Sequence, residues 1–171
     1  MSKPSASFLR GSGGAAAAPS MSASAIVAKA ASGSHVLKID GYSRTVGLGT
    51  FSFITSRSFE VGGHRWCLRY YPDNIKSCYE NMAFILCLDP SEEGEVRAEY
   101  KISLLDQEGQ PVPGRVRGSS TCLTFSAKRV QDRSYYRINK EELQNSHCLK
   151  DDAFSVRCDI NVVMGITLRT L

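Results

Sequence analysis

Four stretches of this 171-residue chain carry residue types that could do chemistry. His147-Cys148 lies beside Asp151 and Asp152, the side chains a thiol hydrolase would need as nucleophile, base and orienting acid. Neighbours in sequence point apart, however, and nothing nearby supplies an oxyanion donor, so chance placement is the better account and no catalytic residue is assigned. His64 and Cys67 are three apart, but they flank a strand entry, and no second pair shows zinc spacing. No metal or cofactor is therefore expected, and His64 reads as a turn hydrogen-bonder. Gly47-Leu48-Gly49 lacks the third glycine and following helix of a phosphate loop. Arg97, Glu99 and Lys101 read as a solvated strand face.

The element that organises the rest is Phe59–Pro72, FEVGGHRWCLRYYP. Trp66, Leu68 and Tyr70 alternate with Cys67, Arg69 and Tyr71, the period of a half-buried strand. Gly62-Gly63 marks a hairpin turn after Phe59 and Val61. The lone tryptophan, Trp66, is expected at the centre of a core, since no side chain has more apolar area to bury. His35–Asp40 alternates as well. Met82–Leu88 is apolar on both faces, as a central strand is. Val96–Leu104 gives the cleanest alternation, with Val96, Ala98, Tyr100, Ile102 and Leu104 on the packed face. Asp106–Pro113 reads as a turn-rich loop, Thr121–Phe125 as a short strand, and Phe154–Val162 as the last strand. Asn139 with Glu142 has capping-box spacing for a short helix near 140–145. Short strands separated by turn signals, with one short helix, define an all-β antiparallel sandwich over 35–163.

Composition excludes several classes. Charged residues are 22% and hydrophobic residues 42% of the chain, as in ordinary soluble domains. Net charge is +4, but Lys3, Arg10 and Lys29 put three of those charges in residues 1–34, leaving 18 basic against 17 acidic residues beyond. That balance gives no footprint for nucleic acid, and no apolar run approaches a membrane span. The six cysteines lack a C-x-x-C and fall mostly in apolar strands, so reduced thiols, a reducing compartment and a nuclear or cytoplasmic location are expected. Residues 1–34, rich in Ala, Ser and Gly, are expected to be a disordered tail with at most a transient helix over Ala23–Ala31. Residues 164–171 are expected to be a frayed C-terminal tail.

HVLKIDGYSRT (35–45), FEVGGHRWCLRYYPD (59–73), VRAEYKISLLDQEGQPVP (96–113) and INKEELQNSHCLKDDAFSVRCDINV (138–162) occur in the order found in MATH (meprin and TRAF homology) domains. The chain resembles most the grass-expanded plant MATH–BTB/POZ proteins. The resemblance implies an eight-stranded antiparallel sandwich that binds protein substrates through extended Ser/Thr-rich segments. In such proteins a following BTB domain docks the cullin scaffold of a ubiquitin ligase. A chain ending at Leu171, where a linker to BTB would begin, is expected not to bind cullin itself. Such a chain could instead compete for substrates with full-length MATH–BTB relatives, which are also expected partners. Carried over by position, the peptide groove falls on Ile85, Tyr100, Leu123, Asp132 and Ser134, with Tyr135 as a substitute ring. The family's Trp-Gly-aromatic triplet is here Asp132-Arg133-Ser134, which implies a groove either adapted to another motif or degenerate. The alternative role is a TRAF-like oligomerisation module, although no heptads precede His35.

Overall fold

The structure is a computed structural model that describes residues 1–2, 5, 11–75, 79–130 and 134–171. Ten strands, one short α-helix and a single 3-10 turn at Tyr42–Arg44 are present among these residues: β1 Ser24–Asp40, β2 Ile54–Thr55, β3 Phe59–Val61, β4 His64–Tyr71, β5 Asn81–Leu88, β6 Glu95–Leu105, β7 Pro111–Gly118, β8 Leu123–Ser126, β9 Tyr135–Asn139, α1 Lys140–Gln144 and β10 Ala153–Thr170. One sheet runs β1-β10-β6-β7, with β8 also on β6; the other runs β2-β4-β5-β9, with β3 also on β4. All pairings are antiparallel.

The count is ten rather than the expected eight, and register explains it. β3 pairs with residues 64–66 of β4 and β2 with 69–70. Likewise β8 pairs with residues 95–98 of β6, and β7 with residues 101–105. Two edge positions are thus each filled by two short pieces, with breaks at residues 56–58 and 119–122.

Trp66 is fully buried, as its place in the hairpin predicts. Its Nε1–H donates to the Val61 carbonyl at 3.1 Å, and its ring meets Phe125 of the opposite sheet edge-to-face at 5.1 Å. Phe154 likewise meets Tyr70 and Phe84 across the sandwich. These aromatic contacts, worth about 1 kcal/mol each beyond burial, tie the layers together. The Gly62-Gly63 turn has φ of 63° and 75°, the left-handed pair of a type I′ hairpin. A Cβ on Gly62 would lie 2.7 Å from Val162 Cβ, so glycine also lets the hairpin close onto β10.

Asp73 is a second organising point. Its carboxylate, 3% exposed, accepts the N–H groups of Gly47 and Gly49 at 2.8 Å and Lys140 Nζ at 2.8 Å. The Gly47–Gly49 turn is therefore an anion nest, but for the chain's own carboxylate. Burial pushes the Asp73 pKa up; the bonds from Lys140, Gly49 and Gly47 outweigh it and hold it below 3.8. The helix starts as expected, with Asn139 Oδ1 accepting the Glu142 N–H at 3.0 Å.

Two regions depart from the sequence reading. β1 begins at Ser24, inside the segment expected to be tail or helix, and β10 continues to Thr170 through the expected frayed end. Each supplies the other's ladder, from Ser24↔Thr170 inward. Without burial, the segment carries little of the periodic signal that sequence reading uses. β7 occupies Pro111–Gly118, and its first three residues lie inside the expected loop; its prolines suit an edge strand, whose outer N–H positions need no partner.

Candidate functional site

Among the described residues, β7 lies at one end of the first sheet and β9 at one end of the second, each with one side unpaired. A seam runs between these two edges. Tyr136 points inward from β9 and donates its O–H to the Arg115 carbonyl on β7 at 2.8 Å, which fixes the spacing of the edges. Burial pushes the Tyr136 phenol up to about 12, so it stays a neutral donor at any physiological pH. Arg115 also forms an exposed, hydrogen-bonded ion pair with Glu142 on α1.

Val116, Arg117, Tyr135, Tyr136 and Arg137 line a shallow groove of about 360 Å³ along this seam. Val116 is 42% exposed. The Arg137 guanidinium lies 5.3 Å from the centre of the Tyr135 ring, within cation–π range. Arg117 is hydrogen-bonded to the Tyr100 phenol below it; burial raises the Tyr100 pKa, and the Arg117 charge offsets part of that rise. Chemically the groove offers two strand edges for backbone pairing, an apolar and aromatic floor, and two guanidinium groups. An extended, uncharged or anionic segment fits that character.

The structure divides the six residues expected to form the groove. Ile85 and Tyr135 are cross-strand partners on the outer face of the second sheet. Ile85 is only 2% exposed, in a small cluster with Cys67, Tyr71, Ala83 and Cys87 against which Ile75 and Tyr135 pack. Tyr135 is half-buried, its hydroxyl bonded to Asn74 Oδ1, and it reaches the groove. Tyr100 and Leu123 face the main core at 3% and 8% exposure. Only the Tyr100 phenol approaches the groove, through Arg117. Ser134 is fully buried and donates to the Leu86 carbonyl at 2.9 Å. Asp132 lies outside the described residues. Val116, Arg117, Tyr136 and Arg137 were missed; the signal that finds them is their place on strands with a free edge, which needs the topology.

The other candidate chemistry takes structural forms. Cys148 packs in the main core, and its carbonyl accepts Gln107 Nε2 at 3.0 Å. The Asp152 carboxylate accepts the Ser43 N–H at 2.8 Å and hydroxyl at 2.7 Å, and its carbonyl takes the N–H groups of Gly41 and Tyr42. Asp151 and Asp152 both have positive φ, forming a tight turn between Lys150 and Ala153. His64 Nδ1 sits 3.0 Å from Glu92 Oε2, whereas Cys67 is on the opposite face of the strand.

The two antiparallel sheets form an all-β sandwich, and residues 34–160 match the MATH domain family, a protein-interaction module. The chain belongs to that family. It is 30% identical over 148 residues to BTB/POZ and MATH domain-containing protein 6 of Arabidopsis thaliana, covering 81% of this chain and 35% of that protein. BTB/POZ and MATH domain-containing protein 4 of the same plant is 30% identical over 156 residues, covering 86% of this chain and 33% of its own length. The chain thus spans about a third of the relatives it matches.

Proposed function

We propose that this domain is a peptide-binding module that holds an extended segment of a protein substrate along the β7/β9 seam. The single observation that supports the reading most is the groove itself, where two unpaired strand edges flank Val116, Arg117, Tyr135, Tyr136 and Arg137. Added-strand recognition uses such a site: backbone bonds set register and the lining selects side chains. The segment it takes is Ser/Thr-rich and extended. Its role is that of the substrate-recognition part of MATH–BTB adaptors in the protein ubiquitination pathway, in the nucleus or cytoplasm. Membership of the MATH family and likeness to BTB/POZ and MATH domain-containing proteins support this role.

A peptide array probed with the purified chain tests the reading. Val116→Glu changes an exposed side chain, so the fold should be kept while the groove gains a charge and bulk. Array signals lost in that variant support the seam. Signals that persist unchanged, or an array with no binders to the wild-type chain, count against it. Tyr100→Ala is not a usable control, because it empties a core position and threatens the fold.

A further inference from the structure

Beyond the sandwich, β1 and β10 continue alone as a two-stranded ribbon. β10 pairs with β6 only over residues 156–162, whereas β1 stays paired with β10 out to Ser24↔Thr170. The register shifts between Lys29 and Ala30, leaving Met164 as the extra residue between Val163 and Gly165. Polarity changes at that bulge. On the sandwich, the outward face of these strands is polar, with Ser32, Ser34, Asp159 and Asn161 bonded to one another in pairs. Past the bulge, register carries the same geometric face to Ile26, Ala28, Ile166 and Leu168, all apolar. The opposite ribbon face holds Ala25, Val27, Lys29, Thr167 and Arg169, and so both of the ribbon's charges.

Ile26 is 75% exposed, Met164 52%, Ile166 61% and Leu168 78%. An isolated two-stranded ribbon is marginal in water, and a contiguous apolar patch of this kind marks an interaction surface. We infer that the outward ribbon face is a self-association surface, on which the ribbon of a second copy packs face to face. Two features favour a second copy as the occupant. The face carries no charge, so it meets its own copy without repulsion, and it is lined alike on both strands, with Ile26 opposite Leu168 and Ala28 opposite Ile166. Two such faces pressed together remove roughly 1,000 Å² from water, about the size at which specific interfaces begin. An interface of that size lies at the small end of specific ones, so the dimer is reversible. It leaves both β7/β9 seams open, since the ribbon extends the other end of the first sheet's strand order.

Sedimentation equilibrium of the whole chain from about 1 µM to about 100 µM tests this. The wild type is expected to rise from the 18.7 kDa monomer toward twice that mass. Ile26→Asp with Ile166→Asp should weaken association at least tenfold, while Arg169→Glu on the opposite face should leave the dimer intact. Both variants alter exposed side chains, and circular dichroism confirms that the sandwich is kept. A wild type that remains monomeric throughout overturns the inference. So does a dimer that survives the two aspartates, or one lost equally in Arg169→Glu.

Discussion

Replacing Asp73 by Asn removes one charge from a site that the rest of the fold keeps dry. The side chain is 4% exposed and that of its partner Lys140 13%. Asp73 accepts from three donors: the Gly47 and Gly49 N–H groups and Lys140 Nζ. Asn can present its oxygen to some of them, but its NH₂ then faces another donor, and the Lys140 ammonium is left without a counter-charge. Breaking one side of a buried pair costs about 3 kcal/mol or more, which for a domain of this size lowers Tm by roughly 6–12 °C. Chemical denaturation at pH 7 measures the difference, and Asp73→Asn with Lys140→Met should recover part of it, since the stranded charge is gone. The pH dependence has a definite sign. The folded pKa of Asp73 lies below 3.8, so folding favours its ionised form. Its stabilisation is complete above the unfolded value of about 3.9 and is lost as pH falls through the lower folded value. The stability gap between wild type and Asp73→Asn should therefore shrink below pH 4. A gap under about 0.5 kcal/mol at pH 7, typical of an exposed pair, or one that widens in acid, refutes the argument.

Gly62→Ala should destabilise by about 2 kcal/mol or more, through a positive φ and a clash with Val162, whereas Gly63→Ala, with open space around it, pays only the backbone term of about 1 kcal/mol; urea midpoints compare them. Asp152→Ala should speed amide exchange at Ser43 while sparing Gly41 and Tyr42, which bond the Asp152 backbone carbonyl; exchange read by NMR distinguishes carboxylate from backbone support. Burial pushes the Cys87 thiol up to about 12 and raises Cys67 and Cys158 too, so iodoacetamide at pH 8 should leave all three unmodified until denaturant is added, as peptide mass mapping would show. Arg117 and Arg137 have no carboxylate partner among the described salt bridges, so phosphorylating a hydroxyl of a bound Ser/Thr-rich peptide should tighten binding several-fold, and Arg137→Gln should erase the gain in a fluorescence titration.

The parts of the fold legible in the sequence are those where burial writes a pattern. Trp66 alternates with its neighbours and follows two glycines, so both the strand and its turn could be read. Met82–Leu88 reads as a strand covered on both sides; its outer cover is Ile75 and Tyr135 rather than a third layer. β7 was missed because an edge strand with two prolines has no consistent buried face, and the ribbon because its apolar residues face water. The groove was harder, since alternation gives the face of each strand but not which strand edges lie side by side. Tyr100 alternates with Ala98 and Ile102, a packed face that its carried-over groove role overlooked. Ile85, expected in the groove, is the cross-strand partner of Tyr135 and is buried in the cluster against which that ring packs.

The central claim is that a partner's extended segment binds between β7 and β9. The most direct measurement is an NMR titration of the isotope-labelled chain with the strongest array peptide. The account predicts that amide shifts concentrate on residues 115–118 and 135–137, and that Val116→Glu abolishes them. Shifts centred on the polar outer face of β1, β10 and β6, with 115–118 and 135–137 unmoved, would contradict it.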